Sequence, residues 1–278
     1  MLKECLALWK GCVSGRAVIY QLINKISAIL VIVSGMFASG LAAAQEPVDL
    51  ELVLAADGSG SIDDAELRLQ REGYANAVRN PRVLELLTGG IHGKSVIAYV
   101  EWGSAQSQAT IVDWTVIDGP DSAAAFGAAL VDAPRQAWGY NSISNAIAYS
   151  QNLIEANTFR GLRRIIDISA DAGNIGGMPL SLARGNAVAT GITINGLAIS
   201  RPGSTRPLRA VSLEQEFREQ IIGGAGAFVV TVDETISFSE AVLKKMILEV
   251  AGIAPPEIAG LPPGGRLSTR PRNYLSSP

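Results

Sequence analysis

The sequence predicts an α/β fold: a doubly wound, mostly parallel central sheet with one antiparallel edge strand and helices on both faces. Short β-branched apolar runs alternate along the chain with amphipathic stretches, a pattern typical of a parallel sheet covered by helices. The 278 residues, of which 48% are hydrophobic, can supply a sizeable core. One pair of apolar runs is joined only by GSAQSQ, which is too short for a helical crossover, so the second run of this pair is the predicted antiparallel edge strand.

Six segments are predicted to be strands because they are short, apolar and mostly β-branched. In chain order they are DLELVLAA at 49–56, SVIAYVEW at 95–102, ATIVDWTV at 109–116, RRIIDISA at 163–170, ITINGLAI at 192–199 and GAFVVTV at 226–232. The second and third of them are the pair joined by the short connection.

Amphipathic segments that follow or separate these strands are predicted to be helices. They lie at about 63–79, 121–131, 142–156, 178–190, 212–222 and 235–250. In the third, the clearest, positions i, i+3, i+4, i+7, i+10 and i+11 are Ile143, Ala146, Ile147, Ser150, Leu153 and Ile154. This spacing forms one continuous face at helical period, and we expect that face to lie on the sheet.

Residues 1–44 are predicted to be a signal peptide. Four basic residues precede the uncharged apolar stretch at 26–41, and three alanines follow at 42–44, just before Gln45. The alternative is an uncleaved membrane anchor, but about 16 apolar residues fall short of the roughly 20 that span a bilayer. We therefore expect an exported protein, periplasmic or secreted, with no membrane attachment after cleavage.

The rest of the composition restricts the classes of partner and chemistry. Both cysteines, Cys5 and Cys12, lie in the predicted signal, so the exported chain has no thiol for a disulfide, a zinc site or a nucleophile. Removing the signal makes the formal charge more negative than the −3 of the whole chain, which disfavours a nucleic acid partner. The folded domain is predicted to span 45–251, and the Pro-, Gly- and Ser-rich segment 252–278 to be a disordered tail.

Polar residues are concentrated where the predicted strands end. The first strand runs directly into Asp57-Gly58-Ser59-Gly60-Ser61, and the fourth is closed by Asp171. The loop 138–142 opens the clearest helix, so its polar side chains face the same edge. Open α/β sheets bind ligands beyond the carboxyl ends of their strands, and oxygen ligands in this number suit a magnesium ion.

These three loops resemble those of the von Willebrand factor type A (vWA) domain with its metal-ion-dependent adhesion site (MIDAS). The shared features are D-x-S-x-S after the first strand, a polar residue opening a helix before Ile-x-x-Ala-Ile, and an aspartate closing the fourth strand. The resemblance covers about residues 47–250. The strand ends VEWGS and RRIIDISAD also resemble DUF1194, a bacterial family of uncharacterised secreted vWA proteins.

The resemblance implies a Rossmann-like vWA fold with one bound divalent ion, Mg²⁺ or otherwise Mn²⁺ or Ca²⁺. Ser59 and Ser61 would coordinate this ion directly, and Asp57 and Asp171 directly or through water. Asn141 stands where the family usually has a threonine, and its carbonyl oxygen can still coordinate a hard cation. The resemblance further implies a non-enzymatic module in which a carboxylate from a protein partner fills the open position of the ion.

Other interpretations of the same residues stay open. Asp57 and the serines can form an Asx-turn and a helix N-cap without any metal. The carboxylates can instead activate water in a metal-assisted hydrolase, or Asn141 can mark a vWA scaffold that has lost its ion. A Ser-His-Asp hydrolase is disfavoured, because the sole histidine, His92, precedes the second strand and should lie at the opposite edge of the sheet.

Three further residues, two aromatic and one acidic, are not assigned as ligands. Trp138 and Tyr140 either pack the 138–142 loop or form an exposed aromatic rim that contacts a partner. Asp167 lies within an apolar strand, well below the sheet edge, and is predicted to be a buried structural carboxylate and not a metal ligand.

Overall fold

The computed structural model describes residues 45–200, 211–232 and 236–252. These residues form a six-stranded sheet in the order β3-β2-β1-β4-β5-β6. The strands are β1 (Glu46–Asp57), β2 (Ser95–Trp102), β3 (Gln108–Ile117), β4 (Phe159–Ala170), β5 (Thr193–Ile199) and β6 (Val229–Val232). The helices are α1 (Asp64–Arg79), α2 (Pro81–Thr88), α3 (Pro120–Asp132), α4 (Ile143–Ala156), α5 (Leu180–Ala189), α6 (Leu213–Glu216, continued by a π-helical turn at Phe217–Ile221) and α7 (Phe238–Ala251).

The predicted sheet is confirmed. β1 pairs in parallel with β2 and β4, and β5 pairs in parallel with β4 and β6. β3 pairs with β2 in the antiparallel direction, as the short GSAQSQ connection requires. β1 and β4 begin earlier than predicted because their first residues, Glu46 and Phe159, pair with each other.

Helices cover both faces of the sheet. Side chains alternate between the two faces along each strand, so apolar side chains on both faces need to be covered. On β1, Leu52 and Leu54 belong to a core that includes Tyr74 of α1 and Met246 of α7. Val53 of the same strand belongs to a second core, formed with residues of α4, α5 and the π-helical turn. The two cores hold the central strands between them, and they fix where the strand ends emerge.

One helix, α2, is missing from the sequence prediction. Asn80 caps it, since its side chain accepts a hydrogen bond from the backbone N of Arg82 at 3.0 Å, and Pro81 occupies the first turn. Asn-Pro followed by an apolar run is a common helix start, so the sequence did carry a signal for this helix.

The last predicted strand and helix were both placed too early. β6 is shorter than the predicted strand at 226–232, because Gly224 and Gly226 adopt left-handed backbone angles with φ of 94° and 69° and form a turn there. α7 begins after Ser237, whose hydroxyl accepts from the backbone N of Glu240 at 3.3 Å while the Glu240 side chain accepts from the backbone N of Ser237 at 3.1 Å. This capping box sets the first residue of the helix.

The predicted signal peptide at 1–44 lies outside the described residues, as does the predicted tail beyond Gly252. Within the residues that the structure does describe, none of the helices combines the length and the hydrophobicity needed to cross a membrane.

Candidate metal centre

The candidate site lies where the strand order of the sheet reverses. β1 and β4 are neighbours in the sheet, although β2 and β3 come between them in the chain. The connections that leave these two strands run in opposite directions, and such a switch point is where open α/β sheets bind ligands. Because Ala56 pairs with Ser169 near the strand ends, Asp57 and Asp171 emerge side by side.

Asp57 is fully buried and anchors the site from below. Its Oδ1 accepts a hydrogen bond from the backbone N of Ser59 at 2.8 Å. Its Oδ2 accepts from the side-chain Nδ2 of Asn141 at 3.0 Å. The same Nδ2 donates to Oδ1 of Asp171 at 3.3 Å, so Asn141 links the two carboxylates.

The two serine hydroxyls complete the cluster. The Oγ atoms of Ser59 and Ser61 lie 3.1 Å apart, and Ser61 Oγ donates to Asp171 Oδ1 at 3.2 Å. Ser59 is buried whereas Ser61 is exposed, so the cluster reaches from the interior to the surface. Asp57, Ser59, Ser61, Asn141 and Asp171, the five predicted ligands, thus form one connected network.

The charge in this network is concentrated on two adjacent carboxylates. Burial raises the pKa of Asp57 to about 7, and the nearby negative charge of Asp171 also raises it, while hydrogen bonds from Ser59 act in the opposite direction. A metal-free Asp57 therefore keeps a proton over part of the neutral pH range. A cation held between the carboxylates would favour the ionised form.

Arg135 holds the D-x-S-x-S loop in place. Its guanidinium donates to the carbonyl oxygens of Gly58 at 2.8 Å, Ser59 at 2.9 Å and Ile62 at 2.9 Å, and its Nε donates to the carbonyl of Ala137 at 3.1 Å. The sequence reasoning missed this residue. Nothing in the local pattern around it could have identified this role, because the carbonyl groups of the D-x-S-x-S loop that it binds lie more than 70 residues away in the chain.

The 138–142 loop is fixed by backbone contacts to its neighbours. Gly139, with φ of 96°, accepts at its carbonyl from the backbone N of Gly60 at 2.8 Å. Gly103 has no room for a Cβ, since an added atom would lie 2.2 Å from the carbonyl oxygen of Trp138. On the other side, the carbonyl of Asn141 accepts from the backbone N of Ile175 at 2.6 Å. Asn141 is therefore positioned by all three neighbouring loops.

Most of the donor set fits a hard divalent cation, because two carboxylates and two hydroxyls supply oxygen ligands. Asn141 is the exception: its amide nitrogen, not its oxygen, faces both carboxylates. It would have to turn its amide over to offer Oδ1 to an ion. Within the described part of the chain, no three His, Cys, Asp or Glu side chains are grouped to hold a metal, so the site depends on hydroxyl and amide oxygens beside Asp57 and Asp171.

Two residues outside the network lie where the sequence places them. The backbone N of His92 donates to Asp49 Oδ1 at 3.0 Å, near the start of β1, whereas Asp57 and the serines lie beyond its end. His92 is thus at the opposite edge from the two hydroxyls. Asp167 is 1% exposed and pairs with Lys245 of α7 at 2.5 Å, which makes it a buried structural carboxylate.

A sequence model of the family described as "Protein of unknown function (DUF1194)" matches residues 47–254. The chain belongs to the DUF1194 family. This match confirms the predicted family resemblance over the region that carries the sheet and the candidate site. No curated protein matches the sequence of this DUF1194 chain.

Solved structures similar to the DUF1194 chain include vWA proteins of different origins. The pilus adhesin SpaC from Lactobacillus rhamnosus GG has a TM-score of 0.52 at 13% identity, over 74% of this chain and 30% of that chain. Proximal thread matrix protein 1 from the mussel byssus has a TM-score of 0.50 at 12% identity, over 76% of this chain and 47% of that chain. The SpRpn10 VWA domain has a TM-score of 0.50 at 12% identity, over 71% of this chain and 95% of that domain.

The DUF1194 chain therefore spans less than half of the adhesin and of the byssus protein, but its sheet and helices match almost the whole SpRpn10 VWA domain. At these identities the likeness shows the fold, which is the predicted vWA fold.

Proposed function

We propose that this chain is an exported, non-enzymatic binding module that presents one divalent cation to a carboxylate of a protein partner. The observation that supports the proposal most is the connected network at the strand-order switch point, in which two carboxylates and two hydroxyls meet. Asp57 is buried, which raises its pKa to about 7, so its ionised form is costly for the fold to keep and a bound cation would offset that cost. Mg²⁺ is the proposed ion, with Mn²⁺ or Ca²⁺ as substitutes.

Each residue of the network has a proposed role. Ser59 and Ser61 coordinate the ion with their hydroxyls, and Asp57 and Asp171 hold it directly or through water. Asn141 joins them after its amide turns over. The ion supplies an open position for an oxygen ligand from the partner, and the chain's own part is to hold that position at the rim of the sheet.

The proposed location is the periplasm or the outside of a bacterial cell, without membrane attachment after cleavage of residues 1–44. The sequence pattern of these residues supports export. Two of the similar folds are named as an adhesin and as a matrix protein, which is compatible with a binding role outside a cell.

Calorimetric titration of the protein with Mg²⁺ and Mn²⁺ tests the proposal. We expect saturable binding of one ion and at least about 100-fold weaker binding by Asp57→Ala, because the buried carboxylate is the central ligand. Glu85→Ala, which removes an exposed carboxylate from α2, is the matched control and should bind like the wild type. Absence of ion binding by the wild type would favour the metal-free scaffold.

The hydrolase alternative uses the same protein samples. Ester and phosphoester substrates are incubated with the wild type and Mn²⁺, and product is measured. We expect no turnover above that of Asp57→Ala. Turnover that is present in the wild type and lost in Asp57→Ala would replace the binding-module proposal with metal-assisted hydrolysis.

Arg135→Lys is expected to weaken Mn²⁺ affinity by roughly 10- to 100-fold, the range typical of residues that orient metal ligands. A lysine keeps the positive charge but cannot reach three carbonyl oxygens of the D-x-S-x-S loop at once. Arg68→Lys, at a position whose side chain is 72% exposed, is the control. Unchanged Mn²⁺ affinity in Arg135→Lys would show that the loop keeps its shape without the guanidinium.

A further inference from the structure

Three exposed apolar side chains lie on loops that contribute to the candidate metal centre. The large apolar residues that are exposed in the described part of the chain are Leu69, Ile91, Trp138, Tyr140, Leu162, Ile175, Leu182 and Val211. Trp138, Tyr140 and Ile175 lie on the two loops that carry Asn141 and Asp171, and we call these three the apolar rim. They are 57%, 76% and 48% exposed, and the other five are spread over separate elements. The exposure of Trp138 and Tyr140 favours the exposed rim over packing of the loop, the other sequence-based alternative.

The apolar rim lies next to the proposed ligands. Tyr140 directly precedes Asn141, and Ile175 donates its backbone N to the carbonyl of Asn141 at 2.6 Å. Consecutive Cα atoms are about 3.8 Å apart. A residue one or two positions from a carboxylate bound at the ion would therefore come within reach of Tyr140.

Hydrogen bonds hold the backbone that carries the aromatic rings. The backbone N of Trp138 donates to Ser107 Oγ at 2.9 Å, and its carbonyl accepts from the backbone N of Ser104 at 2.9 Å. The carbonyl of Tyr140 accepts from the backbone N of Ser142 at 3.0 Å. Turning the rings inward by moving the loop would break these bonds. Exposed aromatic side chains on a fixed backbone are typical of the anchors that carry most of the energy of a protein interface.

The charges around the rim select one kind of partner. A divalent ion would offset the negative charge of the buried Asp57 carboxylate and leave one open ligand position at the rim. Asp63 and Asp64 are exposed beside the D-x-S-x-S loop, and Asp64 pairs with Arg135 at 3.1 Å while its side chain stays 93% exposed. These acidic groups disfavour both a run of acidic residues and an anionic lipid surface. A single carboxylate with apolar neighbours is the complement.

We propose that the partner is a protein loop in which one Asp or Glu is flanked, within two residues, by large apolar or aromatic side chains that pack on Trp138, Tyr140 and Ile175. This inference rests on the proposed function, because the ion holds the carboxylate, and it adds the chemistry that selects the loop. Affinity then comes from both contacts, and neither suffices alone.

Three blocked peptides test the proposal in the presence of saturating Mn²⁺: acetyl-Gly-Phe-Asp-Leu-Gly-amide, the same peptide with Asn for Asp, and acetyl-Gly-Gly-Asp-Gly-Gly-amide. Binding to the protein is measured at up to millimolar peptide by NMR titration. We expect the first peptide to bind at least about tenfold more tightly than the other two. The Trp138→Ala/Tyr140→Ala double variant should no longer bind the Phe-Asp-Leu peptide more tightly than the glycine peptide. Leu182→Ala is the control and should keep this preference.

Failures of the two proposals are distinguishable, because Mn²⁺ binding is measured separately by calorimetry on each variant. If the protein binds Mn²⁺ but binds the Phe-Asp-Leu and Gly-Asp-Gly peptides equally, or binds neither peptide, only the proposed role of the apolar rim is overturned. No bound Mn²⁺ in the wild type overturns both. Two other outcomes would assign the rim to another occupant and also overturn the proposal. One is association of the chain with a second copy on adding Mn²⁺, measured by sedimentation. The other is binding to zwitterionic lipid vesicles that Trp138→Ala/Tyr140→Ala abolishes.

Discussion

Lys245→Met is expected to lower the free energy of unfolding by about 3–5 kcal/mol at pH 8, the range for removing one partner of a buried ion pair. Lys245 Nζ lies 2.5 Å from Asp167 Oδ1 and 2.6 Å from Glu249 Oε1, and all three residues are 1% exposed. Methionine fills the space of the lysine stem but leaves two buried carboxylates facing each other. The loss therefore reports on charge and not on a cavity, and chemical denaturation measures it.

The destabilisation is expected to depend on pH. Burial, and then the charge of Glu249, already raises the pKa of Asp167 to about 7 in the wild type. Without Lys245 this pKa rises further, because the ammonium group lowers it. A folded state with a raised carboxyl pKa binds more protons than the unfolded state, so its stability falls as pH rises through that pKa. The cost of Lys245→Met should thus be smaller at pH 5 than at pH 8.

A surface ion pair with the same sequence spacing supplies the control. Arg68 pairs with Glu72 across one turn of α1 at 2.9 Å, and the two side chains are 72% and 39% exposed. Arg68→Met should change the free energy of unfolding by no more than about 0.5 kcal/mol. Equal, small effects of Arg68→Met and Lys245→Met would show that the buried cluster does not hold α7 to β4.

The sheet was predictable because each strand carries its own local signal. β-Branched apolar runs, the short GSAQSQ connection and the period of α4 each depend on neighbours in the chain. The candidate site was predictable for a related reason. Asp57 and Asp171 each lie at or directly after the end of a strand, and parallel strands present their carboxyl ends at one edge of the sheet. Predicting the two strands was therefore enough to predict that the two carboxylates lie close together.

The features that sequence reasoning could not supply involve partners far apart in the chain. Lys245 meets Asp167 across 78 positions, and Arg135 reaches Gly58 across 77. No periodicity encodes such pairs, because they depend on how helices and loops stack on the finished sheet. The orientation of the Asn141 amide is a further case, since hydrogen bonding to Asp57 and Asp171 decides it.

Asp57→Asn is expected to stabilise the metal-free protein at pH 8, by roughly 2–4 kcal/mol, while abolishing its response to Mn²⁺. Folding raises the pKa of Asp57 from 3.8 to about 7, mainly through burial. At pH values between these two pKa values the folded state therefore binds one more proton than the unfolded state. The stability of the metal-free protein thus falls as pH rises from about 4 to 7. An asparagine at this position removes the buried charge and can still accept from the backbone N of Ser59. Asn141 can turn its amide over to accept a bond from the new side chain.

Thermal unfolding with a chelator and with Mn²⁺, at pH 5 and pH 8, measures both effects. Mn²⁺ should raise the midpoint of the wild type, more at pH 8 than at pH 5, because Asp57 must lose its proton to bind the ion. Asp113→Asn, at an exposed position on β3, should behave like the wild type in all four conditions. Destabilisation by Asp57→Asn in chelator at pH 8 would contradict the expected cost of the buried charge. If the chain binds an ion, an aspartate at position 57 is expected even though it weakens the metal-free fold. A scaffold without an ion would gain stability from an asparagine at this position.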